Sequence, residues 1–172
     1  MEITTIQPFL EYWKSVRGRT KRVIATIPDD KLDWTYQPGK FSFGDIIRHL
    51  ATIERYMYAE TVQGRPSIYP GYDKSLQQNN ESPIEFMDRL DAESIEIFAR
   101  LSAEELTRKC MTPAGTSITV WKWLRAMVEH ESHHRGQVYM MLSMLGIATP
   151  PLYGLTEEEV RAKSSQSGTK PA

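Results

Sequence analysis

The chain has 172 residues, with 21 Lys and Arg against 22 Asp and Glu and a formal net charge of −1. That length fits one domain with one hydrophobic core, and the lack of a clustered basic stripe reads against nucleic acid as a partner. The single cysteine, Cys110, excludes an intramolecular disulfide, and the opening MEITTIQPFLEYW has no basic region before an apolar run, so the chain reads as cytoplasmic with no membrane partner.

Phe9, Leu10, Trp13, Val16, Val23, Ile24 and Ile27 recur at three- and four-residue spacing, which predicts an amphipathic helix closed by Pro28. A second helix opens at Ser42, where Asp45 completes a capping box and Phe41 staples onto Ile46. Its stripe is Ile46, His49, Leu50, Ile53 and Met57, and Gly64 and Pro66 stop it. Residues 67–81, rich in Tyr, Gly, Asn and Pro, form a loop. Ser82 and Glu85 make another capping box, with Pro83 at the first helical position. That helix runs to the neighbourhood of Leu101.

Ser102 through Glu105 starts a short extra turn, and Cys110 to Ser117 reads as loop. Thr119 then caps a long helix that reaches Leu145 and stops at Gly146. No strand pattern has comparable strength. Four long helices predict an all-α protein, a four-helix bundle spanning residues 1–155. Residues 156–172 form a C-terminal extension, partly disordered, with a Ser-, Gly- and Lys-rich tail from Ser164.

All four histidines fall in two of these helices. A helix turns about 100° per residue, so His130 and His134 project about 40° apart on one face. Val120, Met127 and Val138 lie about 60–80° away on the same wheel, which turns both rings toward the core. His49 takes a core position between Ile46 and Ile53. Three neutral imidazoles from two helices can hold a divalent ion and leave coordination positions open, the arrangement of a catalytic rather than a structural site. His133 lies about 60° to the other side and is left out, as a surface or supporting residue.

Two other metal patterns overlap this one. His130-Glu131-Ser132-His133-His134 matches HExxH, the zinc-protease arrangement with a glutamate base. That reading lacks a downstream third ligand and a strand to present a peptide. Glu131 and His134 also form one half of a di-iron Glu-x-x-His pair. The other half fails, because Ile46 stands three residues before His49. Glu131 is therefore read first as half of a buried ion pair, and second as a catalytic candidate. Gln137 falls about 20° from His130 and is a second catalytic candidate, for holding water or substrate. Arg135 reads as structural. Gly136 costs about 1 kcal/mol relative to alanine in mid-helix, which predicts a packing reason such as close helix approach. Trp34, Tyr69, Tyr72, Trp121, Trp123 and Tyr153 could line a pocket but read more simply as core or bundle-end packing.

The run HESHHRGQVYMMLSMLG, followed by PPLYG, resembles the DinB/YfiT-like metalloenzyme family, whose HxxxHRGQ motif is matched from His130 to Gln137. The family's upstream pattern, W/F-S-x-x-(E/D)-x-x-x-H-L, is matched from Phe41 to Leu50. The likeness extends over residues 5–155, including Ile27-Pro28 and Leu32-Asp33-Trp34 with Pro38. The resemblance implies metal ligation by His49, His130 and His134, the same three residues as the wheel. It further implies a bundle with up-up-down-down connections, often dimeric. The implied metals are zinc or nickel, with iron or manganese as alternatives.

Some relatives use low-molecular-weight thiols such as bacillithiol or mycothiol. The leading expectation is thus an S-transferase in which a metal activates a thiol toward a small electrophile. One alternative is a metal-dependent hydrolase acting on a small-molecule substrate with activated water. A second is a non-catalytic, stress-related binding module. A homodimer is the expected assembly.

Overall fold

Helix α1 (Ile6–Ile24) buries Phe9, Leu10, Trp13, Val16, Val23 and Ile24 on one face, as its spacing requires. The computed structural model describes residues 2–167. Helix α2 (Phe43–Ile53) starts where the Ser42 hydroxyl accepts from the Asp45 N–H and the Asp45 carboxylate accepts from the Ser42 N–H. Such a cap contributes about 1 kcal/mol and sets the phase of everything after it. The helix continues through a π segment, Glu54–Tyr58, and ends in Ala59–Thr61. One widened turn shifts the helical phase, and Glu54, Tyr58 and Ala59 are all buried.

Helix α3 (Pro83–Phe98) and the short α4 (Ala103–Thr107) each open with a capping box, at Ser82/Glu85 and Ser102/Glu105. Helix α3 ends at Phe98, a turn short of the expected Leu101. Helix α5 runs Val120–Met144, with Thr119 at its N-cap.

The segment expected as loop from Cys110 to Ser117 instead holds a small antiparallel hairpin. Strand β1 (Lys109–Met111) pairs with β2 (Ser117–Thr119) in the register Lys109↔Thr119, Cys110↔Ile118, Met111↔Ser117. Gly115, at φ +76°, supplies the left-handed residue that closes the turn. Strands of three residues are too short to show an alternating pattern. The C-terminal extension carries an exposed helix, α6 (Glu157–Ser167), over part of the stretch read as disordered tail. The rest of that tail, 168–172, lies outside the described residues.

The long helices form the expected four-helix bundle, but their directions differ from the up-up-down-down order that the resemblance implied. Lys21 meets Asp88 and Arg17 meets Asp91, so α1 and α3 run antiparallel. Arg17 meets Glu131 and Arg135 meets Thr20, so α1 and α5 run parallel. Phe43 packs with Phe86 while Tyr58 packs with Phe98, so α2 and α3 run parallel. His49 meets His130 and Thr61 meets Trp123, so α2 and α5 run antiparallel. The order is up-down-down-up. Residues 62–82 cross the length of the bundle between α2 and α3, which is what makes those two parallel.

Two apolar clusters fill the ends of the bundle, one around Trp13, Phe98 and Leu124, the other around Phe43, Phe86 and Leu142. Each fully buried side chain of this kind contributes about 1.5–3 kcal/mol relative to exposure. A charged group, Arg17 with Glu54 and Glu131, is buried in the bundle as well, and the half-buried Asp91 joins it from α3. No helix among the described residues is long and apolar enough to cross a membrane.

Candidate metal centre

The antiparallel packing of α2 on α5 brings the second turn of α2 against the middle of α5. His49 arrives there because the Ser42 cap fixes where α2 begins. His130 and His134 arrive together because they are one turn apart. The three rings converge. Nε2 of His130 lies 3.2 Å from Nε2 of His49 and 3.1 Å from Nε2 of His134. All three ligand atoms lie within 4.8 Å of one another. Donors about 2.0–2.1 Å from one tetrahedral ion stand about 3.3 Å apart, so the spacing suits a shared ion.

The outer nitrogens decide where the protons sit. Nδ1 of His49 lies 2.6 Å from the Tyr69 hydroxyl, and Nδ1 of His134 lies 2.7 Å from Oε1 of Gln137. Gln137 Oε1 can only accept, so His134 carries its proton on Nδ1 and offers a lone pair at Nε2. The Tyr69 oxygen can accept from His49 in the same way. Burial, reinforced by the neighbouring His134 ring, pushes His49 down to about 4. Burial and the His134 and His49 rings push His130 down to about 3. Burial also lowers His134, against the opposing Gln137 bond. Near neutral pH the cluster is therefore a set of uncharged donors, which is the state that a metal requires.

Aromatic rings wall this centre. Phe41 stacks on His49 at 5.3 Å between centroids, and Tyr72 meets both Phe41 and His49 edge-on. The segment bearing Tyr69 and Tyr72 is tied to α2 by Arg48, which donates to the Tyr72 carbonyl, and by Thr52, which donates to the Gly71 carbonyl. Tyr69 and Tyr72, which the sequence suggests first as packing, thus flank the histidines, and Arg48 and Thr52 place them there. The concentration of Tyr in that loop was the available signal. Of the other aromatics considered, Trp34 packs on Phe43, Trp123 donates to Thr61, and Tyr153 is exposed.

Glu131 is buried, and both of its carboxylate oxygens accept from Arg17 Nη1, at 3.2 and 3.0 Å. This is the ion pair expected of a buried carboxylate at this position, and it turns Glu131 away from the role of a free base. The zinc-protease pattern accordingly lacks its glutamate. Gln137 holds His134 and, through Nε2, donates to Nε2 of exposed His133 at 3.2 Å. His133 itself stands outside the converging set. Arg135 is buried and donates to the Val16 carbonyl and to Thr20, a structural role. Gly136 has no close helix beside it: a Cβ there would meet open space.

Comparison with known proteins agrees with this architecture. The sequence model described as "DinB superfamily" matches residues 12–138. The Oceanobacillus iheyensis protein called "Putative metal-dependent hydrolase OB0413" is 21% identical over 155 residues, covering 83% of this chain and 90% of that one. A DinB-like protein from Bacillus cereus ATCC 10987 superposes with a TM-score of 0.68 at 19% identity, over 86% of this chain and 97% of that one. YfiT from Bacillus subtilis, described as a probable metal-dependent hydrolase with an unusual four-helix bundle topology, superposes with a TM-score of 0.64. Its identity is 19%, over 83% of this chain and 89% of YfiT.

Proposed function

The chain belongs to the DinB superfamily, and from that premise we propose that it is a divalent-metal-dependent hydrolase of a small molecule, with His49, His130 and His134 as the ligands. The observation that carries the reading is the meeting of three uncharged Nε2 donors at the junction of two helices, His130 lying 3.2 Å from His49 and 3.1 Å from His134 and all three within 4.8 Å of one another. Three imidazoles suit zinc or nickel among the common divalent ions. When bound, such an ion supplies Lewis acidity, polarising a substrate carbonyl and acidifying water.

The protein's own residues do the positioning. Gln137 and Tyr69 hold His134 and His49 in the tautomer that presents Nε2 inward. Phe41 and Tyr72 shield the rings from bulk water and keep them uncharged. No carboxylate belongs to the cluster, so the ligands leave the charge of the ion uncompensated and available to an electron-rich carbonyl. In the net reaction the oxygen of water bonds to the electrophilic carbon, the bond to the leaving group breaks, and the leaving group takes a proton.

The test is elemental analysis of protein purified without an affinity tag, followed by chelation, reconstitution with zinc or nickel, and assay on p-nitrophenyl esters. The expected result is bound divalent metal, loss of hydrolysis on chelation, and loss of both metal and hydrolysis in His49→Ala, His130→Ala and His134→Ala. Undiminished hydrolysis by the chelated protein overturns the reading. If the metal binds but only thiol addition to an electrophile such as 1-chloro-2,4-dinitrobenzene is seen, the ligands stand and the reaction is S-transfer.

A further inference from the structure

Beside the histidines, between the connection that leads into α2 and the C-terminal half of α5, lies a cavity of about 430 Å³. Small-molecule sites occupy about 300–1,000 Å³, so the space suits a ligand of modest size. Its apolar lining comes from Phe41, Ile46, Met140, Met141 and Met144. Phe41 and Gln137, which also lines it, both touch the metal centre. Phe41 is 5.3 Å from the His49 ring and 6.0 Å from that of His134, and Gln137 bonds His134. A molecule seated here is one side chain away from the converging donors.

The exposed methionines of α5 mark this face as one that something covers. Met140 and Met144 stand one turn apart on α5 and are 68% and 58% exposed, an unfavourable disposition for large apolar side chains. Methionine is flexible and polarisable, so a wall of three adapts to apolar chains of varied shape. Charge then selects among apolar ligands. Lys40 is the charged residue of the lining, and it forms no ion pair among the described residues.

We propose that this cavity binds the apolar body of a small anionic molecule, with Lys40 pairing with its negative group. The inference names the substrate class for the hydrolase reading and rests on that reading for the chemistry. Binding itself requires only the cavity.

The experiment is calorimetric titration of the metal-free chain with sodium octanoate, using octylamine and sodium acetate as controls. Without metal, capture of the carboxylate by an ion is ruled out, and the outcome is independent of whether hydrolysis is found. Octanoate is expected to bind at least about tenfold more tightly than either control. Lys40→Ala should weaken octanoate by about tenfold and narrow its margin over octylamine. Met140→Glu, an exposed change that leaves the core intact, should weaken octanoate as well. Equal binding of octanoate and octylamine overturns the proposal, as does wild-type affinity in both variants. Sedimentation of the same samples supplies a further overturning result: Met140→Glu dissociating a dimer while octanoate affinity stays unchanged assigns the face to a second copy of the chain.

Discussion

Oε1 of Gln137 accepts from Nδ1 of His134 at 2.7 Å, while Nε2 of the same amide donates to His133 at 3.2 Å. With the amide in this orientation Oε1 can only accept, which puts the His134 proton on Nδ1. The HRGQ run thereby acquires a physical reason. Its glutamine stands three residues beyond His134, the second histidine of the motif, where it can reach the outer nitrogen of that ring.

Gln137→Ala should therefore weaken metal binding by about 10–100-fold while leaving the helix intact. Gln137→Glu, which restores an acceptor, should recover most of the loss. Competition against a chelator of known affinity measures both. Equal affinity in wild type and Gln137→Ala would show that the amide does not orient the ring.

Tyr69→Phe removes the oxygen 2.6 Å from His49 Nδ1. The ring remains but the acceptor is lost, so metal affinity should fall by about tenfold with unchanged far-UV circular dichroism. A fall in thermal stability without a change in affinity would assign Tyr69 to packing alone.

Arg17 is buried against Glu54, Glu131 and Asp91. Arg17→Met leaves those carboxylates without their shared cation, and the loss should be about 3–5 kcal/mol in urea denaturation. Adding Glu131→Gln should restore part of it, because one uncompensated charge is then removed. Additive losses in the double variant would contradict this coupling.

Burial pushes the Glu54 carboxyl up to about 8, with Asp91 and Glu131 adding to the shift and Arg17 opposing it. A carboxyl whose folded value is raised favours folding while it is protonated. Its contribution is complete below its ordinary value near 4.5 and is lost as pH rises through about 8. Below about 6.5 the lowered His49 and His130 make stability rise with pH, so the decline of the metal-free protein should emerge between about 6.5 and 8, and Glu54→Gln should flatten it. Parallel pH profiles for the two proteins would rule the effect out.

Gly136→Ala places a methyl group in open space on the exposed face of α5. It should stabilise the chain by about 0.5–1 kcal/mol, measured as a rise in the denaturation midpoint. Destabilisation would mean that something packs closely against this face in solution.

Local chemistry was written plainly in the sequence. The capping residues Ser42 and Ser82, the apolar stripes and the shared face of His130 and His134 all follow from rotation of about 100° per residue and from hydrogen bonds spanning three or four positions. Those interactions lie within one helix and need no knowledge of its neighbours. The inward position of His49 was legible for the same reason. The Glu131 ion pair was legible only in half, since a buried carboxylate demands a partner but does not say that the partner is Arg17, 114 positions away.

What only the tertiary structure decided is everything set by contact between distant segments. The up-down-down-up order depends on how far the 62–82 crossover travels, and periodicity carries no direction. Tyr69 reaches His49 because Arg48 and Thr52 hold its loop to α2 through backbone carbonyls, which every residue type possesses. The hairpin at Lys109–Thr119 is made by pairing between short strands rather than by a pattern along either one. The meeting of His49 with His130 and His134 belongs to the same class. Each ring's face is determined by its own helix, but their separation is determined by how α2 packs on α5.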